Sequence, residues 1–272
     1  MKLKHIVAAV GIAALGVSLN ASAHRPWLYP HGSLVEGKEP SVTIDGAISE
    51  GLFDVDHMPL KLDTATVTEP DGTVTPVAGA YTGRQRSTFD LKMAKNGTYK
   101  ISIVNKNVFA SWKDASGETK RFRGTEQAFA KEVPANAPEL RSTVMQQRIE
   151  TFVSANKPSD AALKPSGSGL ELVPVTNPTD LRSGESATFR FQLDGKALPN
   201  FPFSLIPGGV RYRGVLGEIR LATNAQGEAV IKLPAPGMYY LNASFPVAQP
   251  QPGGEQPPRR YSYAATLEVL PE

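Results

Sequence analysis

Asn224-Ala-Gln-Gly-Glu-Ala-Val-Ile-Lys-Leu-Pro-Ala-Pro-Gly-Met-Tyr-Tyr-Leu-Asn-Ala-Ser-Phe245 reads as turn, strand, turn, strand. Asn224-Ala-Gln-Gly227 and Ala235-Pro-Gly237 carry the residues that tight turns favour. Between and after them, Ala229–Leu233 and Gly237–Phe245 are short, apolar and aromatic, as half-buried strands are. The same unit recurs on both sides, at Leu170–Val175, Ala187–Leu193, Phe201–Pro207, Glu218–Thr223 and Tyr261–Val269, with a further turn at Asp194-Gly195. Seven short strands in the stretch 170–272 predict a β-sandwich of immunoglobulin or transthyretin type. Pro250–Arg260, rich in Pro and Gly, is expected to be a mobile loop before the last strand.

Working outward, Asn156–Gly169 is a composition break rich in Pro, Ser and Gly. We place a linker there, 156–169, between a first β-sandwich domain, 24–155, and the second, 170–272. The first half shows the same pattern. Ser41–Ala47, Leu62–Thr68, Val74–Ala78, Ser87–Met93, Thr98–Asn105 and Arg141–Val153 alternate as strands do. Phe109–Arg123 reads as a hairpin across Asp114-Ala-Ser-Gly117, with Trp112 and Phe122 on its arms. Thr125–Glu132 is the one helical signal, with Thr125 suited to cap it and Pro134 to follow its end. Trp27–His31, with Pro26 just ahead of it and Pro30 within it, fits an edge strand or extended segment, because proline cannot donate to a ladder. Glu50–Leu60 has neither period and reads as a structured loop. The fold class is therefore all-β, with two sandwiches in tandem.

Residues 1–23 have the parts of an export signal: Lys2 and Lys4, an apolar run from Ile6 to Leu19, and the small-residue site Ala21-Ser22-Ala23. Cleavage after Ala23 leaves 249 of the 272 residues and predicts a periplasmic protein that is not embedded in the membrane. The formal charge then falls from +3 to +1, since Lys2 and Lys4 leave. That balance makes no electrostatic case for nucleic acid. Cysteine is absent, which excludes disulfides, thiolate nucleophiles and Cys-based zinc sites.

The same cleavage makes His24 the first residue. A terminal histidine offers two donors to one ion, its α-amine and its ring Nδ1, which close a chelate. The mature chain holds only His24, His31 and His57, all near its start. A nitrogen-rich set of this kind suits a divalent transition metal: Ni, Co, Cu or Zn. The candidate ligands are His24, His57, His31 and Asp56. Asp54 or Asp56 also fits beside a ring as an acceptor that fixes its tautomer, and Met58 would shift preference toward Cu(I). His31, between Pro30 and Gly32, equally suits a turn, and His57 a hydrogen-bonded loop position. The terminal copper–nickel motif with histidine third is excluded, because histidine is first and Pro26, third, has no N–H.

Other chemistry is sparsely marked. No Gly-x-Ser-x-Gly elbow and no Walker loop occurs. Gly208-Gly-Val-Arg-Tyr-Arg213 with Arg220, and Arg259-Arg260-Tyr261, are basic–aromatic clusters suited to an anionic partner or to a solvated face.

His24-Arg-Pro-Trp-Leu-Tyr-Pro30, Gly51-Leu-Phe-Asp-Val-Asp-His-Met-Pro-Leu60, Pro207-Gly-Gly-Val-Arg-Tyr-Arg213 and the stretch from Thr223 to Leu241 resemble domain-of-unknown-function family 4198. That resemblance implies a periplasmic, non-enzymatic protein associated with cobalt or nickel transport. It also implies two sandwiches, the second similar to carboxypeptidase-regulatory-like domains. Partners would be a membrane metal transporter or an outer-membrane receptor. Two rival functions remain: a copper-brace oxidase or monooxygenase, and a structural or adhesive sandwich without metal.

Overall fold

The computed structural model describes residues 24–245 and 259–272. The expected export signal, residues 1–23, lies outside the described residues. So does the expected loop from Pro250, except that Arg259 and Arg260 already belong to the final strand, Arg259–Leu270.

The architecture is all-β and layered. The described strands form sheets of five, eleven and four strands. The large sheet is central, which follows from the parity of its side chains. On the long strand Arg141–Ala155, Ile149 and Val153 join one core while Phe152 joins another. Successive side chains on a strand point to opposite faces, so the two cores lie on opposite sides of this sheet. One core holds Leu28, Ile44 and Phe89 of the five-stranded sheet against Ile101, Ile103 and Ile149. The other holds Leu172, Phe189 and Ile231 of the four-stranded sheet against Leu205, Leu241, Tyr263 and Leu267. A third, smaller core of Trp27, Ala47, Leu52, Ile206, Tyr240 and Ala264 seats the end of the five-stranded sheet on the C-terminal part of the central one.

The two halves on either side of the composition break are joined edge to edge. Arg141–Ala155 pairs in parallel with Arg259–Leu270, from Val144↔Arg259 to Thr151↔Thr266. A buried ion cluster reinforces the seam. Arg148 lies 3.3 Å from Glu150 and 3.4 Å from Glu171, and Tyr263 donates to Glu150 at 2.8 Å. Burial pushes the Glu171 carboxyl up, but hydrogen bonds from Ser166 and the Arg148 charge outweigh it and hold the group below its ordinary value. Burial and the neighbouring Glu150 push the Tyr263 phenol well up. Segment 156–169 is itself packed: the 3-10 turn Ala161–Leu163 buries Ala162 and Leu163.

Most expected strands form, although Leu62–Thr68 is strand only from Ala65 and two-residue strands such as Leu34–Val35 are additional. Thr98–Asn105 and the first arm of the hairpin are one strand, Gly97–Lys113, pairing with Thr119–Gly124 and placing Trp112 and Phe122 on the two arms. The helix is Glu126–Glu132, capped by the Thr125 hydroxyl, which accepts from Ala128 N–H. Arg25–Pro30 is an edge strand, as its prolines require.

Candidate functional site

The strand Ser41–Ser49 organises the candidate site. Arg25–Pro30 pairs with it on one side, with Arg25 opposite Ser49. The short strand Met58–Pro59 pairs with it on the other, with Met58 opposite Ile48. His24 and His57 each stand one residue before these partner strands, so both come to the same end of Ser41–Ser49. Their rings stack with centroids 4.0 Å apart and planes 23° from parallel. His24 Nε2 lies 3.4 Å from a carboxylate oxygen of Glu50.

The loop between the strands is fixed by its own polar groups. The Asp56 carboxylate accepts from the backbone N–H of Glu50 at 3.1 Å and of Gly51 at 2.8 Å. Ser49 accepts from the indole N–H of Trp27 at 2.7 Å and donates to the carbonyl of Gly51 at 2.7 Å. Asp54 N–H donates to that same carbonyl. A side chain at Gly51 would collide with the Asp54 carboxylate. Leu52 is buried in the junction core, and Phe53 sits at φ 65°, a left-handed conformation uncommon for a bulky residue. Absence of periodicity in 50–60 thus reflects a loop built from capping contacts.

The four sequence-predicted ligands therefore separate. His24 and His57 are brought together. Asp56 is adjacent, but both of its oxygens are engaged by the loop backbone. His31 is elsewhere: seven residues of extended chain separate it from His24, on the order of 20 Å. Its Nε2 lies 3.0 Å from Asp45 Oδ2, and Arg86 donates to the same oxygen at 3.1 Å. Glu50 is a neighbour of His24 that the sequence did not mark, since only strand register brings it there. The Asp45 pairing did carry a signal, a charge within an apolar strand.

Among the described residues, no three His, Asp or Glu side chains are arranged to hold a metal ion. The stacked rings explain part of this. An imidazole lone pair lies in the ring plane, and near-parallel planes do not aim two lone pairs at one ion roughly 2.0 Å from each. Rotation of either exposed ring about its side-chain bonds is needed. The third nitrogen, the α-amine of His24, exists only when the chain begins there. With it, the donor set is one amine and two imidazoles, which suits a divalent transition metal.

The family described as Domain of unknown function (DUF4198) matches residues 21–246. No curated protein matches the chain. Among solved structures, Escherichia coli alpha-2-macroglobulin activated by porcine elastase is similar at 10 % identity and a TM-score of 0.22. The match covers 91 % of this chain and 31 % of that one. Trypsin-activated alpha-2-macroglobulin from Escherichia coli is similar at 12 % identity and a TM-score of 0.21, covering 90 % of this chain and 23 % of that one. This chain thus spans less than a third of either. TM-scores this low carry no argument about function.

Proposed function

The chain belongs to the family described as Domain of unknown function (DUF4198), whose description states no activity, and we propose that it binds a divalent transition metal through the end that begins at His24. In this reading the protein is periplasmic and non-enzymatic. Export and cleavage after Ala23 free the α-amine. The amine and ring Nδ1 of His24 close a chelate, and His57 supplies a further imidazole. The metal is cargo, nickel or cobalt first among the candidates, with copper and zinc next. The protein hands it to, or works beside, a membrane transporter or outer-membrane receptor.

The observation that supports this reading is the His24–His57 stack, since residues 33 positions apart meet at one strand end. The Glu50 carboxylate, 3.4 Å from His24 Nε2, is an acceptor that orients the ring. The copper-brace alternative needs an exposed aromatic face beside the terminus, and Trp27, three residues from His24, is only 2 % exposed.

The test combines mass spectrometry of the purified periplasmic protein with equilibrium dialysis against Ni, Co, Cu and Zn. The expected result is a terminus at His24, one bound ion, and affinity that falls on acidification, because the nitrogen ligands bind metal only when deprotonated. His57→Ala is expected to weaken binding at least about tenfold, and His31→Ala to leave it unchanged. Correctly processed protein that binds none of the four metals would defeat the proposal.

A further inference from the structure

A groove of about 750 Å³ opens where the five-stranded sheet meets the C-terminal part of the central sheet. It lies within the ordinary range of small-molecule sites, roughly 300–1,000 Å³. Residues from both halves line it. Trp27, Tyr29 and Phe53 meet edge to face at the bottom, with centroids 5.2 Å to 6.2 Å apart. Gly208 gives Phe53 its place, because a Cβ there would press on the Phe53 ring and on the Met238 carbonyl. At the lip stands Tyr212, 90 % exposed, on the turn Val210–Arg213. An aromatic ring so exposed beside an aromatic floor calls for an occupant.

The charges around the groove are unequal. Arg86, Arg211 and Arg213 line it against Asp45 and Asp54. Asp45 is nearly buried, and one of its oxygens already receives both His31 and Arg86. Arg86 uses a single nitrogen there and remains half exposed, so further N–H donors are available. Arg213 is structural: it donates to the carbonyls of Pro207, Gly208 and Leu216 and shapes the turn. Arg211, on the same turn, is exposed and has no carboxylate partner among the described residues. Cationic donors over an aromatic floor match a ligand with a flat apolar body and one negative charge.

We propose that this groove binds a small organic anion, its aromatic or flat apolar body against Tyr29, Phe53 and Tyr212, and its acid group on Arg86 and Arg211. The site is distinct from the His24–His57 end and does not depend on the metal reading. Anilinonaphthalene sulfonate is a suitable probe, and the uncharged N-phenylnaphthylamine is its control. Titration followed by fluorescence is expected to show one saturable site per folded chain. Arg211→Gln and Tyr212→Ala are each expected to weaken the anionic probe about tenfold, the loss of one charge-assisted or aromatic contact. Arg211→Gln is expected to leave the neutral probe unchanged. Both side chains are exposed, so neither variant endangers folding, and circular dichroism checks this. Absence of saturable binding overturns the proposal. So does equal weakening of both probes by Arg211→Gln, or unchanged affinity of the anionic probe in that variant.

Discussion

At the scale of single residues, the molecule turns on contacts that join chemically unlike neighbours. Trp27 lies in the junction core, yet its indole N–H needs an acceptor, and Ser49 supplies it at 2.7 Å. Ser49→Ala leaves that donor buried without a partner, and is expected to cost about 1–3 kcal/mol in urea unfolding. Ser49 also holds the Gly51 carbonyl, so the same change loosens the loop that carries His57. Asp56 acts in a similar way. Its oxygens bind the N–H groups of Glu50 and Gly51 and are not turned to the rings. Asp56→Ala is therefore expected to weaken metal binding about tenfold by releasing the loop, while dialysis of His57→Ala shows the larger loss. The sequence brought His24 and His57 to notice by residue type and by the expected cleavage site. It also nominated Asp56 and His31 on the same grounds. Residue type does not tell which polar groups a loop uses for its own backbone, or that His31 faces Asp45.

At the scale of elements, alternation and turn chemistry make most strands legible. Arg141–Ala155 is readable because its side chains alternate and its neighbours are marked by Pro and Gly. The helix Glu126–Glu132 is readable from its cap. Thr125→Ala removes the one side-chain acceptor at that end and is expected to cost about 1 kcal/mol, seen as fraying of 126–129 in hydrogen exchange. Two-residue strands such as Leu34–Val35 and Met58–Pro59 are not legible. They have too few residues to show a period, and only their pairing partners define them. Met58–Pro59 matters most among these, because its pairing to Ala47 and Ile48 sets where His57 lies.

At the scale of the whole molecule, composition divides the chain at 156–169, whereas hydrogen bonding runs across the two sides. The parallel ladder between Arg141–Ala155 and Arg259–Leu270 is invisible to local reading, since it joins residues more than a hundred positions apart. The cluster of Arg148, Glu150 and Glu171 lies along this seam. Arg148→Met leaves two buried carboxylates without their cation, and is expected to destabilise the protein by about 3–5 kcal/mol in urea unfolding. The pH dependence has a definite sign. Glu171 is held below its ordinary value of 4.5 in the fold, so its contribution is present above that value and is lost as pH falls through the folded value. Stability is expected to drop on acidification below about pH 4.5 and to drop less in Glu171→Gln. Shared pairing also implies that residues 24–155 and 170–272 unfold together in a single transition, which calorimetry of residues 24–272 would register as one peak.

The central claim is that the amine of His24 is a metal ligand. The most direct measurement compares the protein that begins at His24 with the same protein acetylated at its α-amine, each titrated with Cu(II) and followed by electron paramagnetic resonance. Acetylation leaves both rings and every strand in place but removes the amine as a donor. The account predicts nitrogen coordination by the amine and two imidazoles in the first protein, and at least about a hundredfold weaker binding in the second. Equal affinity and an unchanged spectrum in the two proteins would contradict it.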